Sequence, residues 1–209
     1  MKENALIIFV KNPEPGKVKT RIAASVGNDK AIDIYKQLLQ FTSKIAQGVD
    51  CERYVYYFPL VLEEDVFPST EFQKNLQIKG DLGQKMQAAF SEIVNKHKSA
   101  VIIGSDCAEL TPSDIQRAFE ELEENDVVIG PANDGGYYLL GMNDLQLFLF
   151  KDMPWSGDDL LDETIMKVQD RGLNYSLLNM KSDIDYIEDW ESHKPVSYTH
   201  LTLPTTPYV

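Results

Sequence analysis

The chain is poor in cysteine, in histidine and in positive charge. Cys51 and Cys107 are its two cysteines among 209 residues. Two cysteines build no disulfide framework, neither stands at zinc-ligand spacing, and a reducing, cytoplasmic setting is expected. Lys and Arg number 20 against 33 Asp and Glu, a net charge of −13. That balance argues against a general nucleic-acid binder, because such proteins neutralise phosphates with clustered cations. No apolar run is long enough to span a bilayer, and Met1-Lys2-Glu3-Asn4 leads straight into a strand with no signal-peptide pattern. Two phosphate-binding signatures are missing as well: there is no G-x-G-x-x-G, and Gly16-Lys17 is followed by Val18, with Lys11 where a Walker A loop needs its first glycine. No internal repeat is visible.

What is present reads as an α/β protein. Ala5–Val10 (ALIIFV), Ala100–Ile103 (AVII) and Asp126–Gly130 (DVVIG) are short, continuous apolar runs, the pattern of strands buried on both faces. Further strands are expected at Arg53–Phe58, Leu76–Lys79, Tyr137–Met142 and Asn174–Met180. Helices are expected from Asn28 to Gln47, from Gly80-Asp81-Leu82-Gly83 to about Lys98, from Thr111 to about Glu124, over Asp144–Lys151, and from Ser156 to Gly172, with Ser156 as cap. Thr111-Pro112-Ser113-Asp114 carries the strongest helix start, with an N-cap, a proline at the first position and an acid at the positive end. His97, between Lys96 and Lys98, is expected to be solvated. Residues 1–195 form one domain on this reading. Val196–Val209 contains no Asp, Glu, Lys or Arg and resembles read-through of a sequencing-library adapter; it is expected to stand outside the fold, with the native C-terminus missing on that reading.

The organising stretch is Ala100–Ile115, where a buried strand runs out at Gly104-Ser105 and Asp106 follows at once. Ligands of open α/β sheets bind beyond the carboxyl ends of strands, so Asp106 reads either as a metal or ligand contact or as a turn-former accepting a backbone N–H. Lys11–Arg21 (KNPEPGKVKTR) follows the first strand and sets Lys11, Lys17, Lys19 and Arg21 against Glu14 alone. A basic loop at that place suits phosphates; the plainer alternative is a solvated loop. Pro131–Gly136 reads as a turn between strands or as a ligand-facing Asp134 beside glycines that let backbone approach.

Taken together, these segments resemble the GT-A superfamily of nucleotide-dependent transferases. Within it they resemble small bacterial glycosyltransferase-like proteins once known as a domain of unknown function, some of them associated with arsenosugar biosynthesis. The matching pieces are Phe9–Arg21, GDLGQKM (Gly80–Met86), GSDCAEL (Gly104–Leu110), GPANDGGYYLLG (Gly130–Gly141), Trp155-Ser156 and DIDYIED (Asp183–Asp189). The resemblance implies a single-domain, Rossmann-like three-layer sandwich with a mostly parallel sheet and helices on both faces. It implies that Lys11, Lys17, Lys19 and Arg21, with Gly80, Asp81 and Gly83, hold the nucleotide, and that Asp106 and Asp185 bind Mg²⁺ or Mn²⁺. It places Gly135, Gly136, Tyr137 and Trp155 on the acceptor side and gives Asp134 a catalytic role beside Asp106. The expected partners are a nucleotide or nucleotide sugar and a small acceptor, with no nucleic acid; the oligomeric state is left open.

Two departures are informative. The position two before Asp106 is Gly104, so the D-x-D of glycosyltransferases is absent there, and single-Asp sites suit nucleotidyltransferases such as 2-phospho-lactate guanylyltransferases. Ala108 stands where relatives often carry proline, a change expected to alter only the turn. Three readings follow: sugar transfer from a nucleotide sugar, which the whole motif set favours; nucleotidyl transfer with release of pyrophosphate; and nucleotide binding without turnover. Deleting Val196–Val209 should leave the melting temperature within about 1 °C of the full chain, since surface changes away from a core stay within roughly 0.5 kcal/mol; differential scanning fluorimetry on both forms checks this.

Overall fold

A computed structural model describes residues 2–155 and 157–193; Ser156 and the Val196–Val209 tail lie outside the described residues. The strands are β1 (Asn4–Lys11), β2 (Glu52–Phe58), β3 (Gln73–Leu76), β4 (Ser99–Ile103), β5 (Val127–Pro131), β6 (Tyr137–Met142) and β7 (Tyr175–Leu177). The α-helices are α1 (Thr20–Val26), α2 (Asn28–Gln47), α3 (Leu82–Ile93), α4 (Pro112–Glu121), α5 (Leu160–Asp170) and α6 (Ile187–Ser192), with a 3₁₀ helix at Leu147–Phe150. All seven strands form one sheet in the order β3-β2-β1-β4-β6-β5-β7. β1 pairs in parallel with β2 and β4, β2 with β3, and β5 with β7; β6 runs antiparallel between β4 and β5.

Strand pleating splits β1 between two cores. Leu6, Ile8 and Val10 face Tyr35 and Leu39 of α2 and Ile115 and Phe119 of α4. Ala5 and Ile7 face Met86, Phe90 and Ile93 of α3, with Val168 of α5. Helices therefore cover both faces, as expected. Ile22 of α1, Ile34 and Leu38 of α2 and Trp190 of α6 form a smaller third cluster with Ala108 and Ile184. Each large side chain withdrawn from water in these clusters contributes about 1.5–3 kcal/mol.

The parallel arrangement gathers the chemistry at one edge. β1, β4 and β5 all end there, and antiparallel β6 begins there, so the first loop, the Asp106 turn and the 132–136 turn are neighbours. Tyr35 of α2 pins this edge: its hydroxyl donates to Lys11 O and accepts from Lys11 N, each at 3.0 Å, and lies 3.4 Å from Ser105 Oγ. Thr111 caps α4 in a reciprocal box with Asp114, which also pairs with Lys181 Nζ at 3.1 Å.

Several expected boundaries moved, and one environment differs. Arg21 is helical, inside α1, and not at the end of a loop; α1 is short, and its N-cap, Lys19, has a left-handed φ of 46° with no side-chain cap, so no residue pattern announces it. α2 spans Asn28–Gln47 as expected, with Gly27 at its N-cap position. β3 lies at Gln73–Leu76, earlier than the Leu76–Lys79 run, because its register is set by pairing with Tyr54–Tyr57. α3 ends at Ile93, the Asp144–Lys151 helix shrinks to the 3₁₀ turn, and β7 keeps three residues. His97 is buried: Nδ1 donates to Lys2 O at 2.8 Å and Nε2 lies 2.9 Å from the Tyr54 hydroxyl. The turn after α3 folds it against the foot of the sheet, where Lys98 N donates to Glu3 O at 2.8 Å. Tyr35→Phe removes the partner of both Lys11 backbone groups, and the midpoint of urea unfolding should fall by an amount equivalent to about 1–3 kcal/mol.

Candidate functional site

The segments at the strand ends enclose a cleft of about 620 Å³, lined on its acidic side by Asp106, Asp134, Asp158, Asp183 and Asp185. Each carboxylate is placed by backbone. Asp106 follows β4, and its carbonyl accepts from Ile184 N at 2.9 Å, which draws the last segment onto the β4 turn. That segment is stitched along β5's end: Lys181 N donates to Pro131 O, Asn133 N donates to Lys181 O, and Tyr138 Oη donates to Asn179 O. Glu109 Oε2 accepts from Ser182 N at 2.8 Å. Asp185 and Tyr186 both donate their N–H to Asp189 Oδ2, which turns the chain into α6. Asp134 Oδ1 accepts from Gly136 N at 3.0 Å, closing an Asx turn and leaving its second oxygen free of that bond.

The expected basic residues separate. Lys19, its side chain 5% exposed, places Nζ 2.8 Å from Asp106 Oδ1 and donates to Ile184 O at 2.6 Å. Arg21 pairs through Nη1 with Asp185 Oδ2, stands over the Tyr186 ring and lines the cleft. Lys11 and Lys17 are exposed outside the lining, Lys17 in the turn that Gly16 closes with its φ of 70°. Lys85 Nζ sits 3.8 Å from the Phe58 ring centroid, and its pKa is held down by partial burial and by Lys11.

The expected glycine and capping positions have structural work of their own. Asp81 is the N-cap of α3, accepting from Gln84 N at 2.8 Å while Gln84 Oε1 accepts from Asp81 N. A Cβ on Gly83 would lie 2.6 Å from Trp155 and 2.7 Å from Phe150 O, so Gly83 lets the Trp155 ring pack on α3. Gly135, with a φ of +85°, accepts from Leu161 N at 2.8 Å, and a Cβ there would strike Asp158 O. Gly136 and Tyr137 line the cleft.

Asp183 received no role from the sequence reading, although it stands two before Asp185, and both line the cleft. It is the most perturbed acid of the group. Burial first, then Asp106, Asp134 and Asp185, push its pKa up to about 7, against a smaller opposing pull from Lys19. Among the described residues no three Asp, Glu, His or Cys side chains are already gathered as a metal cage. The donor set instead offers hard carboxylate oxygens facing open cleft space. That matches Mg²⁺ or Mn²⁺, which take one or two carboxylates and fill the remaining positions with phosphate oxygens and water. Asp106 and Asp185 could hold such an ion, with Asp183 beside them.

An acid whose folded pKa exceeds its unfolded value binds a proton in the folded state that the unfolded state has lost. Stability from Asp183 therefore falls as pH rises from about 4 to 7, and the penalty is complete above that range. Asp183→Asn should raise stability by a few kcal/mol at pH 8 and by almost nothing at pH 4, read from denaturant midpoints at the two pH values.

The chain and its fold match known proteins. The model of a family described as an uncharacterised protein conserved in bacteria (DUF2064) matches residues 41–157, more than half of the chain. A protein of Desulfovibrio desulfuricans G20, provisionally named a nucleotide-diphospho-sugar transferase, superposes with a TM-score of 0.87 at 29% identity, over 96% of this chain and 91% of that one. An inositol-1-phosphate CTP transferase from T. maritima shares the fold at 14% identity, with a TM-score of 0.55 over 94% and 95% of the two chains. Rv0371C of Mycobacterium tuberculosis H37Rv, whose structure contains manganese, does so at 11% identity, with a TM-score of 0.51 over 91% and 97%. No curated protein sequence matches.

Proposed function

Taking as premise that the chain belongs to the bacterial family DUF2064, we propose that it is a metal-dependent transferase that moves a sugar from a nucleotide-sugar donor to a neutral hydroxyl of a small acceptor. The observation that carries this reading is the charge of the cleft: five carboxylates line it, and Arg21 is the one basic side chain among the described lining residues. A phosphate acceptor would need cations around it, whereas a hydroxyl acceptor needs a base. The Desulfovibrio protein's name points the same way.

In this mechanism Arg21, with Lys11 and Lys17 approaching from the rim, holds the donor's phosphates. Asp106 and Asp185 would hold Mg²⁺ or Mn²⁺, which supplies positive charge to the departing diphosphate. Lys19, paired with Asp106 Oδ1, holds that carboxylate in place at the cleft. Asp134, anchored through Oδ1, uses its other oxygen to take the acceptor's proton as the acceptor oxygen bonds to the sugar's anomeric carbon. The bond from that carbon to the diphosphate oxygen breaks, and the nucleoside diphosphate leaves with the electron pair.

Nucleotidyl transfer is the second reading. Gly104 denies the β4 turn a second carboxylate, and the T. maritima neighbour is a CTP transferase. The products separate the two. Incubation with a panel of nucleotide sugars and nucleoside triphosphates in Mn²⁺ should release a nucleoside diphosphate from one sugar donor. Pyrophosphate from a triphosphate, with no sugar donor consumed, overturns the proposal. Arg21→Ala should weaken binding of the same nucleotide by about tenfold or more, the equivalent of roughly 1.5–3 kcal/mol for a charge-assisted hydrogen bond, measured by calorimetry.

A further inference from the structure

We propose that Arg21 competes with the divalent cation for Asp185, and that a donor's phosphates end the competition by drawing Arg21 away. Metal and nucleotide then each strengthen the binding of the other. The inference deepens the transferase reading above and rests on it. Two cations of the chain already answer the two carboxylates assigned to the metal, and they do so in different ways. Lys19 is committed to Asp106: its side chain is 5% exposed, and Nζ also donates to Ile184 O at 2.6 Å. Arg21 Nη1 pairs with Asp185 Oδ2 at the surface of the cleft, with side chains 60% and 38% exposed. Both residues line the cleft, so an ion or a phosphate reaches them from solvent without opening the core.

The carboxylate side of this pair is fixed, and the guanidinium side is free to turn. Asp185 N donates to Asp189 Oδ2 at 3.0 Å and Ile184 N to Asp106 O at 2.9 Å, which together hold the backbone under the Asp185 side chain. Arg21 extends from the first turn of α1 and also stands over the exposed Tyr186 ring, 5.7 Å from its centroid. An ion pair this exposed is weakly held, which suits a contact that is exchanged. A guanidinium left at Asp185 sets like charge beside an incoming divalent ion, and the repulsion weakens the ion's binding unless Arg21 moves. Phosphate oxygens are its natural alternative, since a guanidinium pairs with phosphate as readily as with carboxylate. Parting Arg21 from Asp185 is required only once. Whichever ligand binds first brings it about, and the second meets a site already rearranged. That is positive coupling, and it acts equally in both directions.

Mn²⁺ binding without nucleotide is the discriminating measurement, read from the loss of the free-ion electron paramagnetic resonance signal. Arg21→Gln should bind Mn²⁺ about fivefold or more tightly than wild type, the lower end of ordinary coupling between sites. Arg21→Met, a second neutral replacement, should do the same. Lys17→Gln lowers the net charge equally but leaves Asp185 paired, and it should change Mn²⁺ affinity by less than about twofold, because separated surface charges are screened by salt. The nucleoside diphosphate that wild type binds best among ADP, CDP, GDP and UDP should bind more tightly with Mn²⁺ than without it, after correction for the Mn²⁺–nucleotide complex in solution. That ratio should shrink in Arg21→Gln. Equal or weaker Mn²⁺ binding by both Arg21 variants, equal tightening by Lys17→Gln, or an unchanged nucleotide ratio would overturn the inference. If those failures came with a nucleoside diphosphate still released from a sugar donor, the transferase reading would stand without this one. If Arg21→Gln tightened Mn²⁺ selectively but no form bound any nucleotide, the transferase reading would fall and the coupling with it, and only the competition at Asp185 would remain.

Discussion

The architecture of the cleft depends on where one ammonium group goes. Lys19 Nζ is almost completely buried, and a cation so placed must be paired and hydrogen-bonded. Its two partners come from opposite ends of the chain: the Asp106 carboxylate beyond β4 and the Ile184 carbonyl in the last described segment. The first loop, the central strand and the C-terminal segment are thereby locked together through one charge. The left-handed φ of Lys19 is consistent with that demand, since the backbone accepts an uncommon conformation at the residue whose side chain must reach inward. Arg21, two residues on, repeats the pairing at lower cost with Asp185, near solvent and over the Tyr186 ring. The two cations do different work. Lys19 is structural and committed, whereas Arg21 is exposed enough to exchange an aspartate for a phosphate.

Five aspartates lining one cleft are a poor arrangement for stability. The charge on Asp183 is opposed by burial and by three neighbours, and Lys19 answers only part of it. A protein organised for stability alone would place an amide or a cation there. Carboxylates crowd together where a positive charge is to be received, and their mutual repulsion is the driving force for receiving it. The rest of the fold compensates with dry packing: both faces of β1 and β4 are buried, and the Asp65–Lys74 pair behind β2 is nearly enclosed and fully hydrogen-bonded.

Much of this was legible in the residues. Runs such as ALIIFV and AVII pair their backbones and bury both side-chain faces in the interior of a sheet, so the buried parallel strands followed from the residues, while the two helical layers came from the family resemblance. Thr111-Pro112-Ser113-Asp114 announced α4 because capping chemistry is local. The position of Asp106 at a strand end was likewise local. What could not be read depended on distant partners. His97 sits among lysines in sequence, and only the fold brings Tyr54 and the Lys2 carbonyl to it. Lys19 and Arg21 look equivalent in KVKTR, yet one is buried under an aspartate and the other is not. Gly83 reads as a loop glycine, but its reason is the Trp155 ring, 72 residues away in the chain.

The same distinction bears on the absent carboxylate at Gly104. Judged within its own turn, Asp106 is a lone ligand and the missing D-x-D argues against a sugar transferase. In the fold, Asp183 and Asp185 bring a D-x-D pair from another segment to the same cleft, held against the Asp106 carbonyl through Ile184 N. The number of carboxylates available to a cation is therefore set by the cleft and not by one motif, and Gly104 can stay small. A Cβ at Gly104 would meet nothing within 4 Å, so space was not the reason for glycine there. The open volume beside it belongs to the cleft, which Gly104 lines together with Asp106.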